Sequence, residues 1–95
     1  MNNNIQKLLK YPKLIRFFLD FPQRSVTPHE LSKLTHIPYP TVWRYVHDLR
    51  DFDVIIVERI GRYNVCKLNR SSPIAAKLGS ILELEATLVK TKNER

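Results

Sequence analysis

The sequence predicts a mainly α-helical α+β fold that carries one small β-hairpin, and three observations predict it. Apolar residues recur at helical spacing in several separate stretches, two β-branched runs meet about one glycine, and prolines and hydroxyl residues punctuate the helix starts.

The first stretch, residues 5–21, places Ile5, Leu8, Leu9, Leu14, Ile15, Phe17, Phe18 and Phe21 on a helical recurrence that Tyr11 and Pro12 interrupt. One kinked helix or two short ones are expected. Pro12 is tolerated best at a first helical position, and Pro22 stops the second piece near Asp20. Thr27, Pro28 and Glu30 form a start signal, with Thr27 as N-cap and Glu30 closing a capping box. A short helix over 28–34 follows, with Leu31 and Leu34 facing the core and Ser32 and Lys33 outside. The segment THIPYP then breaks it, because each proline disfavours helix in the residue before it.

Beyond Pro40, the spacing of Val42, Tyr45, Val46, Leu49 and Phe52 predicts a helix over 40–52 with one buried stripe. The runs VIIVER and RYNVCKL, parted by IG, predict a hairpin over 54–68 whose turn uses Gly61. A final helix over 73–90, capped by Ser71 or Ser72, carries Ile74, Leu78, Ile81, Leu82, Leu84, Leu88 and Val89.

A chain of 95 residues has room for one domain with one modest core, so residues 1–95 are expected to fold as a unit. With 16 Lys and Arg against nine Asp and Glu, the formal charge is +7, which favours an anionic partner such as nucleic acid. Residues 1–70 hold 12 basic and six acidic side chains, residues 71–95 four and three, so the surplus lies in the first part. No apolar run approaches the roughly 18–20 residues of a membrane span, and the start MNNN lacks the head of a signal peptide; a cytoplasmic protein without membrane association is expected. The lone Cys66 cannot form an internal disulfide. It is expected either to be an inert buried residue or to link two chains.

The stretch TPHELSKLTHIPYPTVWRYVHDLRDFDVIIVERIGRYNVCKLN, within Ser25 to Asn69, resembles the winged helix-turn-helix superfamily, and in particular small archaeal and bacterial transcription regulators of the MarR/ArsR type. It is similar to their succession of helix, turn, TVxRxLxxL reading helix and glycine-centred wing. Thr41, Val42 and Arg44 match the T, V and R of that helix, and Val46 and Leu49 match its aliphatics. Two positions depart: Pro40 stands where a serine is common, and Asp53 where a glycine often lets the chain leave the helix in left-handed conformation. The resemblance implies a winged helix-turn-helix with flanking terminal helices, double-stranded DNA as partner and transcription regulation as role. Either a cellular or a viral source is compatible with it.

The outward face of the reading helix follows from geometry as well. At about 100° per residue, the inner stripe leaves Pro40, Trp43, Arg44 and His47 on the opposite side. Since the N-terminal part of such a helix enters the major groove, Tyr39, Pro40, Thr41, Trp43, Arg44 and His47 are candidates for DNA contact. Arg44 leads them, either bridging O6 and N7 of guanine or gripping phosphate. Trp43 has the alternative of a core aromatic, and His47 that of a solvated or pH-sensing residue. Arg59 and Arg62 flank the wing tip and can reach minor groove or backbone, or simply be solvated. Tyr63 and Asn64 can donate to phosphate, and the helix start at Thr27 to His29 can present amides to another.

No metal site or cofactor is expected, because the histidines lack ligand spacing. An enzyme is the weakest reading, since the sequence has no phosphate-binding glycine loop, no paired carboxylates on one face and no nucleophile with a histidine partner. A protein-interaction adaptor, docking through Trp43 and Tyr39, is the competing function. Leu82 and Leu84 lie about 200° apart on the last helix, so one face can pack on the domain while another meets a second chain. A homodimer through the terminal helices is the preferred expectation, a monomer the alternative.

Overall fold

The computed structural model describes residues 5–93, with side chains described from Lys7 to Leu84. The apolar positions Ile5, Leu88 and Val89 fall outside those side chains.

The first apolar stretch forms two helices, α1 (Ile5–Leu8) and α2 (Pro12–Asp20). Pro12 opens α2, where its missing N–H removes no helical bond, and the Leu14 N–H donates to the Tyr11 carbonyl at 3.0 Å. Leu14, Ile15 and Phe18 turn inward, while Phe21, just past the helix, stays exposed.

The start of α3 (Pro28–Thr35) is the reciprocal cap that the spacing predicts. The Glu30 amide donates to the Thr27 hydroxyl at 3.1 Å, and the Thr27 amide donates to the Glu30 carboxylate at 3.0 Å. The inward residues are Pro28, Leu31 and Thr35, which corrects the expectation for Leu34: it is 49% exposed. The burial of Pro28 and the extra residue at the helix end swing the stripe away from Leu34. Thr35 can replace it because its hydroxyl donates to the Leu31 carbonyl at 2.7 Å, leaving no polar atom unpaired. His36 leaves the helix in left-handed conformation, φ 62°.

The helix α4 (Tyr39–Asp51) buries Val42, Tyr45, Val46 and Leu49 on the stripe that their spacing requires. It ends in a Schellman motif: the Val54 N–H donates to the Leu49 carbonyl and the Asp53 N–H to that of Arg50, both at 2.9 Å. Asp53 holds the left-handed position at φ 61°, where a glycine would rest without a Cβ penalty.

Strands β1 (Ile55–Ile60) and β2 (Tyr63–Leu68) pair antiparallel from Ile55↔Leu68 to Ile60↔Tyr63, and the two-residue turn begins with Gly61 at φ 62°. A third strand contact was not visible in the sequence. Val26 bridges Cys66, donating to its carbonyl at 2.9 Å and accepting from its N–H at 2.7 Å. Cys66 is fully buried, so the alternative of a link between chains is corrected: its sulfur is sealed in the core. Burial raises the thiol pKa to about 11, keeping it protonated and unreactive.

Ser72 caps α5 (Pro73–Asn93), its hydroxyl accepting the Ala75 N–H at 3.1 Å. Ala75, Leu78 and Leu82 join the core while Leu84, on the other side, is 60% exposed. One cluster of buried side chains draws on all these elements. The architecture is a winged helix-turn-helix, with α3 and α4 as the helix pair and the hairpin as the wing.

Candidate nucleic-acid interface

Packing decides which part of α4 is free. With Val42, Tyr45, Val46 and Leu49 inside, Pro40, Arg44 and Asp51 lie outermost and exposed. Thr41 and Asp48 occupy one flank of that outward face, and Trp43 and Arg50 the other.

The Trp43 flank is internally organised. Trp43 is half-buried against the core and meets His47 edge-on with ring centroids 4.7 Å apart, and the Arg50 guanidinium stands 3.2 Å from Nδ1 of His47. At the helix start Tyr39 stacks on His29 of α3, with centroids 4.1 Å apart and planes 13° from parallel. This contact ties the two helices together at their N-terminal ends. Trp43 is therefore neither a full core residue nor a free aromatic, because it combines both environments.

The Thr41 flank faces α1. A cleft of about 180 Å³ is lined by Lys7, Lys10, Tyr11, Thr41, Arg44, Tyr45 and Asp48. Its floor is fixed by the Tyr45 hydroxyl, which donates to the Leu8 carbonyl, and by the edge of Tyr11 against Tyr45, centroids 5.4 Å apart. Burial first, and the Asp48 carboxylate second, hold the Tyr45 phenol above its ordinary pKa, so it remains a proton donor. Lys7 pairs with Asp48 at 3.6 Å. Lys7 and Lys10 were absent from the sequence-derived candidates. Both residues are plain in the sequence, but the docking of α1 and the turn after it beside Arg44 is a tertiary fact.

On the wing, Arg59 and Asn64 face each other across the strands, as do Ile60 and Tyr63, with Arg62 at the turn. Arg59, Arg62 and Tyr63 are exposed, and Asn64 is half-buried. The Arg59 Nε donates to the Gly61 carbonyl at 3.4 Å, folding that side chain back along the tip. At the other end of the motif the hydroxyl of Thr27 is already committed to its cap, and Pro28 has no N–H. The start of α3 thus offers few free donors, and it carries the Glu30 carboxylate.

Among the described residues, no group of three or more His, Cys, Asp or Glu could hold a metal ion, and no helix is long and apolar enough to cross a membrane.

No protein-family model matches this sequence, and a search of curated proteins finds no match. Solved structures do match. The chain superposes on the AntR antimony-specific transcriptional repressor with a TM-score of 0.70 at 15% identity, covering 96% of this chain and 78% of that one. It matches TubR from Bacillus thuringiensis serovar israelensis, bound to 24 bp of tubC, with a TM-score of 0.63 at 14% identity over 90% and 98% of the two chains. A homodimeric winged helix-turn-helix DNA-binding domain from Mycobacterium bovis, a possible ArsR-family regulator, gives a TM-score of 0.63 at 13% identity over 87% and 75%. These similarities establish the winged helix fold over nearly the whole chain.

Proposed function

We propose that this chain is a sequence-specific double-stranded-DNA-binding protein that regulates transcription. In this reading α4 enters the major groove and the wing touches the flanking backbone or minor groove. The observation that carries it is the outward face of α4, where exposed Arg44 stands between the Lys-lined cleft and the Trp43–His47 flank, with Arg59 and Arg62 exposed on the neighbouring hairpin. The contacts assigned to DNA are Tyr39, Pro40, Thr41, Trp43, Arg44 and His47 on α4 and Arg59, Arg62, Tyr63 and Asn64 on the wing. Thr27 ranks last because its hydroxyl is occupied. The chain's formal charge of +7 supports the same partner.

We further propose a homodimer assembled through the terminal helices, supported by exposed Leu84 on the side of α5 away from the core. A twofold dimer reads two half-sites about 34 Å apart or a multiple of it. The cytoplasm is the compartment that fits a DNA-binding role.

Fluorescence anisotropy against duplex DNA at several salt concentrations tests the proposal, and selection from a random duplex pool supplies the preferred site. Affinity that falls steeply with salt is expected, because each neutralised phosphate releases counterions. Binding no tighter than that of a neutral control protein overturns it, and capture of a stoichiometric protein partner in its place favours the adaptor.

A further inference from the structure

We infer that Arg44 grips the DNA backbone rather than a base, as half of a phosphate clamp that Lys10, in the turn after α1, completes. The inference rests on the duplex-DNA reading of α4 proposed above.

Three cations converge on the 180 Å³ cleft between α1 and α4, namely Lys7, Lys10 and Arg44, against the single carboxylate of Asp48. Asp48 is engaged by Lys7 at 3.6 Å, which leaves Lys10 and Arg44 without an ion pair among the described residues. Two uncompensated cations lining one small cleft repel each other, and an anion between them turns that repulsion into two attractions. Thr41 lines the same cleft, and its hydroxyl is a neutral donor of the kind that phosphate oxygens accept. The matching ligand is a singly charged phosphodiester.

The clamp is also preorganised. The hydroxyl of Tyr45 and the Lys7–Asp48 pair hold α1 against α4, and the edge of Tyr11 on the Tyr45 ring anchors the far side of the turn, so Lys10 sits in a short turn held at both ends rather than on a free arm. Guanine recognition would require Arg44 to leave this cleft and extend alone to the groove floor. With Arg44 drawn to the Thr41 flank, the opposite flank, with Trp43, His47 and Arg50, is the part of α4 left to meet base edges.

The test uses the full chain, with anisotropy titrations against the selected duplex and a scrambled duplex across a salt series. Lys10→Gln and Arg44→Gln are each expected to flatten the slope of log K on log salt by about 0.9 and to weaken both duplexes by the same factor, leaving their ratio unchanged. Arg44→Lys, which keeps the charge and loses the fork, is expected to retain the slope and the ratio. Lys77→Gln, an exposed change on α5, serves as the control. Melting temperatures matching the parent's exclude misfolding. If Arg44→Gln lowers the ratio tenfold or relaxes preference at one base pair, or if Lys10→Gln leaves the slope intact, the clamp is overturned while the DNA reading stands. If the parent chain shows no salt-dependent duplex binding, both fall.

Discussion

The hydroxyl of Tyr45 on α4 donates to the main-chain carbonyl of Leu8 on α1, joining residues 37 positions apart in the sequence. The ring belongs to the buried stripe of α4, yet its polar tip satisfies a carbonyl at the open end of a four-residue helix. Removing only that oxygen, with Tyr45→Phe, leaves the Leu8 carbonyl buried and unpaired. An expected loss of about 1–2 kcal/mol in urea unfolding follows. The same variant is expected to reproduce the flatter salt slope of Lys10→Gln, and an unchanged unfolding midpoint would show that α1 docks without it.

Thr27→Ala removes one half of the capping box and is expected to cost about 1 kcal/mol, a fall in melting temperature of roughly 4–8 °C. Because the hydroxyl is bound to the Glu30 amide, duplex affinity measured well below the melting point is expected to stay within twofold of the parent's. A large loss of affinity with an unchanged melting temperature would instead make Thr27 a DNA contact.

Two positions with positive φ are expected to respond in opposite directions. Asp53→Gly removes a Cβ from a left-handed residue and is expected to stabilise by about 1 kcal/mol, since the Asn69 amide bonds the Asp53 backbone carbonyl and is retained. Gly61→Ala is expected to destabilise by about 1 kcal/mol through backbone strain alone, as a Cβ there meets nothing within 4 Å. Thermal or urea unfolding reads both signs.

The buried thiol makes stability fall in alkali. Cys66 has a folded pKa of about 11 against an ordinary value of 9.0, so the folded state keeps its proton where the unfolded state has lost it. Stability is full below about pH 9 and falls as pH rises toward about 11, by an amount on the order of 2 kcal/mol. Tyr45, also shifted upward, adds to the decline. Urea unfolding at pH 8 and pH 10.5 is expected to show a shallower decline for Cys66→Ala than for the parent, and equal declines would sink the assignment.

The proposed dimer can be tested with a charge substitution. Leu84→Arg is expected to convert a dimer into a folded monomer by sedimentation, because the residue is 60% exposed and contributes little to the core of its own chain. A parent chain that sediments as a monomer at high micromolar concentration rules out the assembly.

How much of this was legible in the sequence depended on the range of the cause. The Thr27–Glu30 cap, the stripe Val42, Tyr45, Val46 and Leu49, the turn at Gly61 and the Ser72 cap are each set by residues within a few positions, and their chemistry could be read directly. Leu34 misled because the stripe of a short helix turns on one residue at either end, and Pro28 and Thr35 took the inward places. The Val26 bridge involves a single residue and has no periodicity to detect. The cleft of Lys7, Lys10 and Arg44 depends on where α1 docks, which no local pattern encodes.

The bridge between Val26 and Cys66 has a consequence for drift. Its two hydrogen bonds join main chain to main chain, so any apolar residue that takes an extended backbone and fits the core at position 26 keeps the seam between the wing and the segment leading into α3. The anchoring of α1 depends instead on side chains: the Tyr45 phenol on the Leu8 carbonyl, the Lys7–Asp48 pair and the buried Leu8 side chain. Substitution is therefore expected to leave this main-chain seam between wing and helix pair in place more readily than the seating of α1.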